Sequence, residues 1–281
     1  MAGINPSLRH HEVATRLRAL RMDAGLTMKE AAQRLECSVA KISRLETAAR
    51  GVIPRDVRDL CAIYGADPAE AAVLIAMARE ARASEWWEEY PDEKFRAYIG
   101  HEADAVAIFS YDTGIFPGIV QTSGYARAII KGVAGRISAE TLAKRVELRM
   151  RRQDILHKKD PPRLHIIVDE SALHRRVGDE RVMYEQLSHL LELSGRHRMS
   201  LQVIPFSAGA HKGLDQTFTM LEMADPIPDV IYQEVGGRIE YFRKEKELQA
   251  YRDLIGHLST VGLGQDGSRT LIEEVSQKYR S

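Results

Sequence analysis

The sequence predicts an α+β chain: an all-α head over residues 1–83, a junction over 84–94 and a larger mixed domain over 95–281. Three observations lead there. Residues 11–83 carry apolar side chains at helical spacing, punctuated by capping and stop residues, with no strand-like run. Residues 84–93, SEWWEEYPDE, hold five acids, no base, two Trp and a Pro, a break in composition. Beyond residue 95, β-branched and aromatic runs alternate irregularly with helical stretches, the mark of an α+β domain.

In the head, Val13, Leu17 and Leu20 share one face of a first helix over 11–23, which Gly25 ends. Thr27 caps a second helix, and Glu30 three positions on completes a capping box. Ala31, Ala32 and Leu35 point inward, the two alanines permitting close approach of a neighbour. Ser38 caps a third helix whose inward face is Ile42 and Leu45. Gly51 and Pro54 frame a break before a fourth helix, from about Arg55 to Tyr64. Gly65 stops it, and Asp67-Pro68 opens an Ala-rich fifth helix that runs to about Ala83.

The junction reads as a hinge whose aromatics pack on the next domain, or as an acidic-aromatic surface for a partner. Further on, helices are expected at 121–132, 138–157, 179–195, 244–261 and 268–280, and strands at 163–169, 199–206, 216–223 and 229–235. Residues 105–111 are ambiguous, with strand the better fit. Gly236-Gly237 reads as a hairpin turn. The helix over 138–157 sets Arg145, Arg149 and Arg152 at three- and four-residue spacing, either a solvated face or a basic stripe for an acidic partner or DNA. Tyr111, Phe116, Tyr125 and His211 read as core, with an effector pocket as the alternative.

The length fits one large domain or two modest ones. Lys plus Arg, 40, equals Asp plus Glu, 40, so the whole chain has no net formal charge. The distribution is uneven: residues 1–64 hold 11 basic against 7 acidic side chains, and residues 161–281 hold 15 against 18. The positive field gathers on the head, the footprint of a nucleic-acid binder. The 10 His show no HxxxH spacing, and Cys37 and Cys61 read as small buried apolar residues of a reducing cytoplasm. No metal and no cofactor is expected. No apolar run approaches the roughly 18 residues of a membrane span, and MAGINPSLRHHEV has no apolar signal region. A soluble cytoplasmic protein is expected.

Catalytic motifs are missing as well. No GxSxG, Walker A loop or GxGxxG sits between strand and helix. A restriction-type nuclease would follow Asp169 and Glu170 with an acid and a Lys two apart on the LQVIP strand, where Gln202 and Ile204 stand. No catalytic residue is assigned, and the chain is not expected to be an enzyme.

Residues 27–46, TMKEAAQRLECSVAKISRLE, read as two short helices joined by a tight turn, the second presenting small, polar and basic side chains outward. That is the helix-turn-helix pattern, which lays its second helix in the major groove of double-stranded DNA. Val39, Ala40 and Lys41, following the Ser38 cap, are expected at base edges, Lys on guanine and the small apolar residues on a thymine methyl. Ser43 and Arg44 are expected on bases or phosphates. Thr27 would offer a phosphate the backbone N–H groups of a helix N-terminus. Lys29, Arg50 and Arg55 complete the set as backbone contacts. The plain alternative is that these are ordinary solvated side chains.

Thr27, Glu30, Ala31, Ala32, Leu35, Ser38, Ile42, Ser43, Arg44, Leu45 and Glu46 together resemble the Xre-type helix-turn-helix of the lambda repressor and Cro family, over roughly residues 11–65. Two positions depart from that family. Glu36 stands in the turn where Gly is usual, and a non-Gly residue in a left-handed turn costs roughly 1–2 kcal/mol. Met28 stands where Gln commonly braces the DNA backbone, a contact that Lys29 is expected to replace.

A second resemblance covers residues 84–281. FPGIVQTSGYARA (116–128), the segment Glu170 to Arg175, LQVIP (201–205), GAH (209–211) and VIYQE (230–234) are similar to the WhiJ-like regulators of actinomycetes. It implies a transcriptional regulator with a small partner protein encoded nearby. One small head buries little surface, so tight binding implies a homodimer reading half-sites about 34 Å apart, held mainly by the C-terminal domain. An antitoxin-like interaction protein that binds DNA for autoregulation is the competing expectation, and a small-molecule-responsive repressor is a third.

Overall fold

The computed structural model of the chain describes residues 8–47, 53–83, 93–224, 227–235 and 238–280. They fall into two compact units, one up to Asp104 and one from Ala105 onward. Arg50, Gly51, the pair Gly236-Gly237 and the greater part of the 84–94 junction lie outside the described residues.

The first unit is helical: α1 (Leu8–Asp23), α2 (Met28–Arg34), α3 (Val39–Glu46), α4 (Pro54–Tyr64), α5 (Pro68–Ala83) and α6 (Glu93–Asp104). The starts and stops follow local chemistry. The Thr27 hydroxyl accepts the Glu30 N–H at 3.2 Å, while the Thr27 N–H donates to Glu30 Oε2 at 2.8 Å, a closed capping box. Ser38 Oγ accepts the Lys41 N–H at 3.2 Å and starts α3. Pro54 opens α4 and Gly65, at φ 70°, closes it in the left-handed conformation that a side chain disfavours. Val13, Leu17, Ala31, Ala32, Ile42, Leu45, Val57, Leu60 and Leu74 form one buried core. The close-packed alanines bring α2 against α3.

The second unit is a six-stranded sheet with helices. Its elements are β1 (Ala107–Asp112), α7 (Ser123–Val133), α8 (Ala139–Arg151), β2 (Arg163–Asp169), α9 (Ser171–His174), α10 (Glu180–Ser194), β3 (Met199–Ile204), β4 (Phe218–Glu222), β5 (Val230–Val235), β6 (Arg238–Phe242), α11 (Glu245–Val261) and α12 (Gln265–Gln277). The strand order is β3-β2-β1-β4-β5-β6. β1, β2 and β3 are parallel and joined through helices; β4, β5 and β6 continue the sheet antiparallel. β1 is buried along its whole length, as a strand between two covered faces must be. On one face Phe109, Tyr111, Ile167, Phe218, Met220 and Ile231 pack under Leu248 and Leu258 of α11. The outer edge of β3 is sealed at Val203 by the α11–α12 connection and the first turn of α12: the Leu263 N–H donates to Val203 O and the Val203 N–H to Ser268 Oγ, each at 2.9 Å.

This is the α+β architecture expected, with some differences in detail. α6 and β6 were not foreseen. The helix expected over 138–157 is α-helical only to Arg151 and tightens into a 3-10 turn over Arg152–His157. The arginine stripe divides: Arg145 is exposed to solvent, whereas Arg152 is only 5% exposed and Arg149 Nη1 donates to Gln121 Oε1 at 3.0 Å. Tyr111, Phe116 and Tyr125 are fully buried, which makes them core. The Tyr111 hydroxyl has no hydrogen-bond partner among the described residues.

Candidate nucleic-acid interface

Three interior contacts set the orientation of α3. Ile42 and Leu45 enter the core. Glu46 follows them inward, where its carboxylate is forked by Arg21, Nε donating to Oε1 at 2.8 Å and to Oε2 at 3.1 Å and Nη2 to Oε2 at 2.9 Å. Arg21 also donates from Nη1 to the Leu26 carbonyl at 2.7 Å, and Tyr64 donates to Glu46 Oε1 at 3.1 Å. One charge network thus ties α1, the α1–α2 connection, α3 and α4. Its hydrogen bond to Glu46 raises the Arg21 pKa further, and burial raises that of the Tyr64 phenol, so both keep their protons.

With that face fixed, the other is open. Val39 is 45% exposed, and Ala40 and Arg44 are exposed with it. Arg44 lies back along the helix, its Nε donating to the Ala40 carbonyl at 3.1 Å. Ser43 is half-buried. There is no acid in the first turn of α3. Lys29 is exposed on α2, and Arg55 at the start of α4 is 80% exposed with Asp59 no nearer than 3.8 Å.

Other expected contacts are engaged locally. The Lys41 ammonium sits 2.9 Å from Asp56 Oδ1 of α4 and is only 26% exposed, so it braces α3 against α4. Asp56 carries one signal in the sequence, an acid two residues after Pro54. The Ser38 hydroxyl is spent on its cap and the Thr27 N–H on Glu30, leaving the first-turn N–H groups of Met28 and Lys29 as donors not used within the helix. Met28 packs against the core rather than reaching outward. Glu36 is in the left-handed turn at φ 51°, as the departure from Gly implied.

In the second unit, the acids that invited a nuclease comparison serve the backbone. Asp169 Oδ1 accepts the Ser171 N–H at 2.9 Å, and Glu170 Oε2 accepts the Phe206 N–H at 2.7 Å. Among the described residues no group of three or more His, Cys, Asp or Glu is placed to hold a metal ion. Nor is any helix among them long and apolar enough to cross a membrane.

A capped pair of short helices with the second one open along its outer face defines a helix-turn-helix protein. Residues 12–74 match the family described as a helix-turn-helix domain, the DNA-binding unit of regulators. Residues 95–274, more than half of the chain, match a domain of unknown function, DUF5753, and the chain belongs to that family. No curated protein matches the chain.

Proposed function

We propose that the chain is a sequence-specific transcriptional regulator of Xre type, with a WhiJ-like C-terminal domain, acting on double-stranded DNA in the cytoplasm. The observation that carries this reading is the outer face of α3, where Val39, Ala40 and Arg44 stand exposed beside Ser43 while Ile42, Leu45 and Glu46 anchor the opposite face. Val39 and Ala40 suit a thymine methyl, and Arg44 suits guanine or a phosphate. Lys29 and Arg55 supply sequence-independent, salt-dependent affinity. One head buries too little surface for tight binding, so the regulator acts as a homodimer on two half-sites, joined through the C-terminal domain. That domain has a regulatory role, pairing the heads and sensing a partner or effector, and no catalytic one.

The test is binding to a fragment of the chain's own promoter. Arg44→Ala relaxes preference at one base position, costing roughly 1–3 kcal/mol there. Arg55→Ala weakens all sequences alike and makes the salt slope shallower by about 1. If neither variant changes binding, α3 does not read DNA in this way.

A further inference from the structure

A cleft of about 820 Å³ opens on the second unit at the N-terminal ends of β1 and β2. Its floor is one register row across the sheet, in which Phe109 of β1 pairs with His165 of β2 and His165 pairs with Ser200 of β3. Side chains of one row stand on the same face. Ile255 of α11 also lines the cleft. The cleft is open to solvent along much of its extent, so an occupant would be enclosed on one side only.

His165 is held in a single tautomer. Gln202 Nε2 donates to the carbonyls of Ser259 at 3.2 Å and Leu263 at 3.0 Å, which fixes the orientation of its amide. Its Oε1 can only accept, so the contact of 2.9 Å with His165 Nε2 places the ring proton on Nε2. Burial holds the imidazole pKa below its ordinary value and the ring neutral. Nδ1 is then a pure acceptor, and none of the described residues hydrogen-bonds to it. Phe109 meets the ring edge-on, with centroids 5.1 Å apart.

The charges at the rim are already paired. Ala107 is the register partner of both Arg163 and Glu222. Over this small residue Arg163 Nη2 reaches Glu222 Oε2 at 3.0 Å. Arg198 Nη1 lies 2.6 Å from Asp160 Oδ1. The cleft therefore offers apolar surface, the His165 Nδ1 lone pair and, beside it in the same row, the Ser200 hydroxyl, without a surplus of positive charge to attract an anion.

We propose that this cleft binds a planar, uncharged molecule with an apolar body and a single ring N–H or hydroxyl donor, the body against Ile255 and the exposed rim of the Phe109–His165 row and the donor on His165 Nδ1. The test uses no DNA, so it stands apart from the reading of α3. The full chain is titrated by ligand-observed NMR with indole, and with indene, which has the same shape but no N–H. Indole binds saturably at about millimolar concentration, as a fragment of that size does, and about tenfold more tightly than indene. His165→Phe, which keeps a ring and removes the acceptor, brings indole down to the affinity of indene. Ser200→Trp and Ile255→Trp fill the cleft from two different elements and abolish binding of both probes; if one fails to fold by circular dichroism, the other decides. The absence of saturable indole binding, equal affinity of the wild-type chain for the two probes, or undiminished binding in a folded filling variant each overturns the proposal.

Discussion

Arg21 and Glu46, 25 residues apart in sequence, form a forked ion pair inside the helical unit, with Arg21 8% and Glu46 4% exposed. Two charges taken out of water are tolerable together and costly apart. Arg21→Met leaves the Glu46 carboxylate buried with the Tyr64 hydroxyl as its one remaining side-chain donor among the described residues, and is expected to destabilise the unit by about 3–5 kcal/mol. Arg21→Met combined with Glu46→Leu recovers most of that loss. Urea unfolding followed by circular dichroism measures both, and an unchanged midpoint for Arg21→Met would show that the pair is not structural.

Lys41 stands between two roles that can be separated. As a brace, Lys41→Ala and Asp56→Ala lower stability by a similar amount, about 1 kcal/mol for a part-buried pair. Asp56→Asn releases the ammonium and strengthens binding to all DNA sequences alike. Thermal melts and band-shift titrations on two operator variants measure these effects. Should Lys41→Ala instead leave the melt unchanged and cost roughly 1–3 kcal/mol at one base position, Lys41 reads a base, as the sequence suggested.

Glu36 pays for its left-handed backbone, at φ 51°, without any hydrogen bond from its side chain among the described residues. Glu36→Gly relieves that strain, offset in part by the greater entropy of an unfolded glycine, and is expected to stabilise by up to about 1 kcal/mol. It also removes an acid from the turn between the two helices. A higher melting temperature together with tighter DNA binding is the expected pair of outcomes in differential scanning calorimetry and band-shift titration.

Asp112 closes β1 from a buried position, where burial pushes its carboxyl from 3.8 up to about 7 against the opposing effect of a hydrogen bond from Ser110 Oγ at 2.8 Å. A carboxyl whose pKa is raised on folding favours the folded state when protonated. Its contribution is complete below about pH 4 and is lost as the pH rises through about 7, a change of roughly 4 kcal/mol. Asp112→Asn, which stays neutral, therefore gains on the wild type between pH 5 and pH 8. Melting curves across that range isolate the effect as the difference between the two proteins; a constant difference would rule it out.

Much of the fold was legible because it is written in short-range chemistry. Thr27, Ser38, Ser138 and Asp179 each cap the helix that the sequence placed after them, and residues 163–169 form β2 as expected. Long-range pairings were not legible. Nothing local says that β1, β2 and β3 run parallel or that β6, a short edge strand with alternating charge, completes the sheet. The same limit applies to the candidate interface. The outward position of Val39, Ala40 and Arg44 followed from helical periodicity. The turning of Lys41 toward Asp56 depends on how α4 packs across α3, 15 residues further on. His165 interrupts an otherwise apolar strand, a signal visible in RLHIIVD, but its companions Ser200 and Ile255 come from elements far apart in the chain.

The seal along β3 has a cost during biosynthesis. The serine that caps its margin is 65 residues downstream of Val203. At about 5–20 residues per second, a translating ribosome leaves that margin bare for about 3–13 s. Through that interval the nascent strand is a template for stray pairing with other chains. Recovery of soluble protein from an expression host is therefore expected to respond to chaperone supply and translation speed as well as to the stability of the finished molecule.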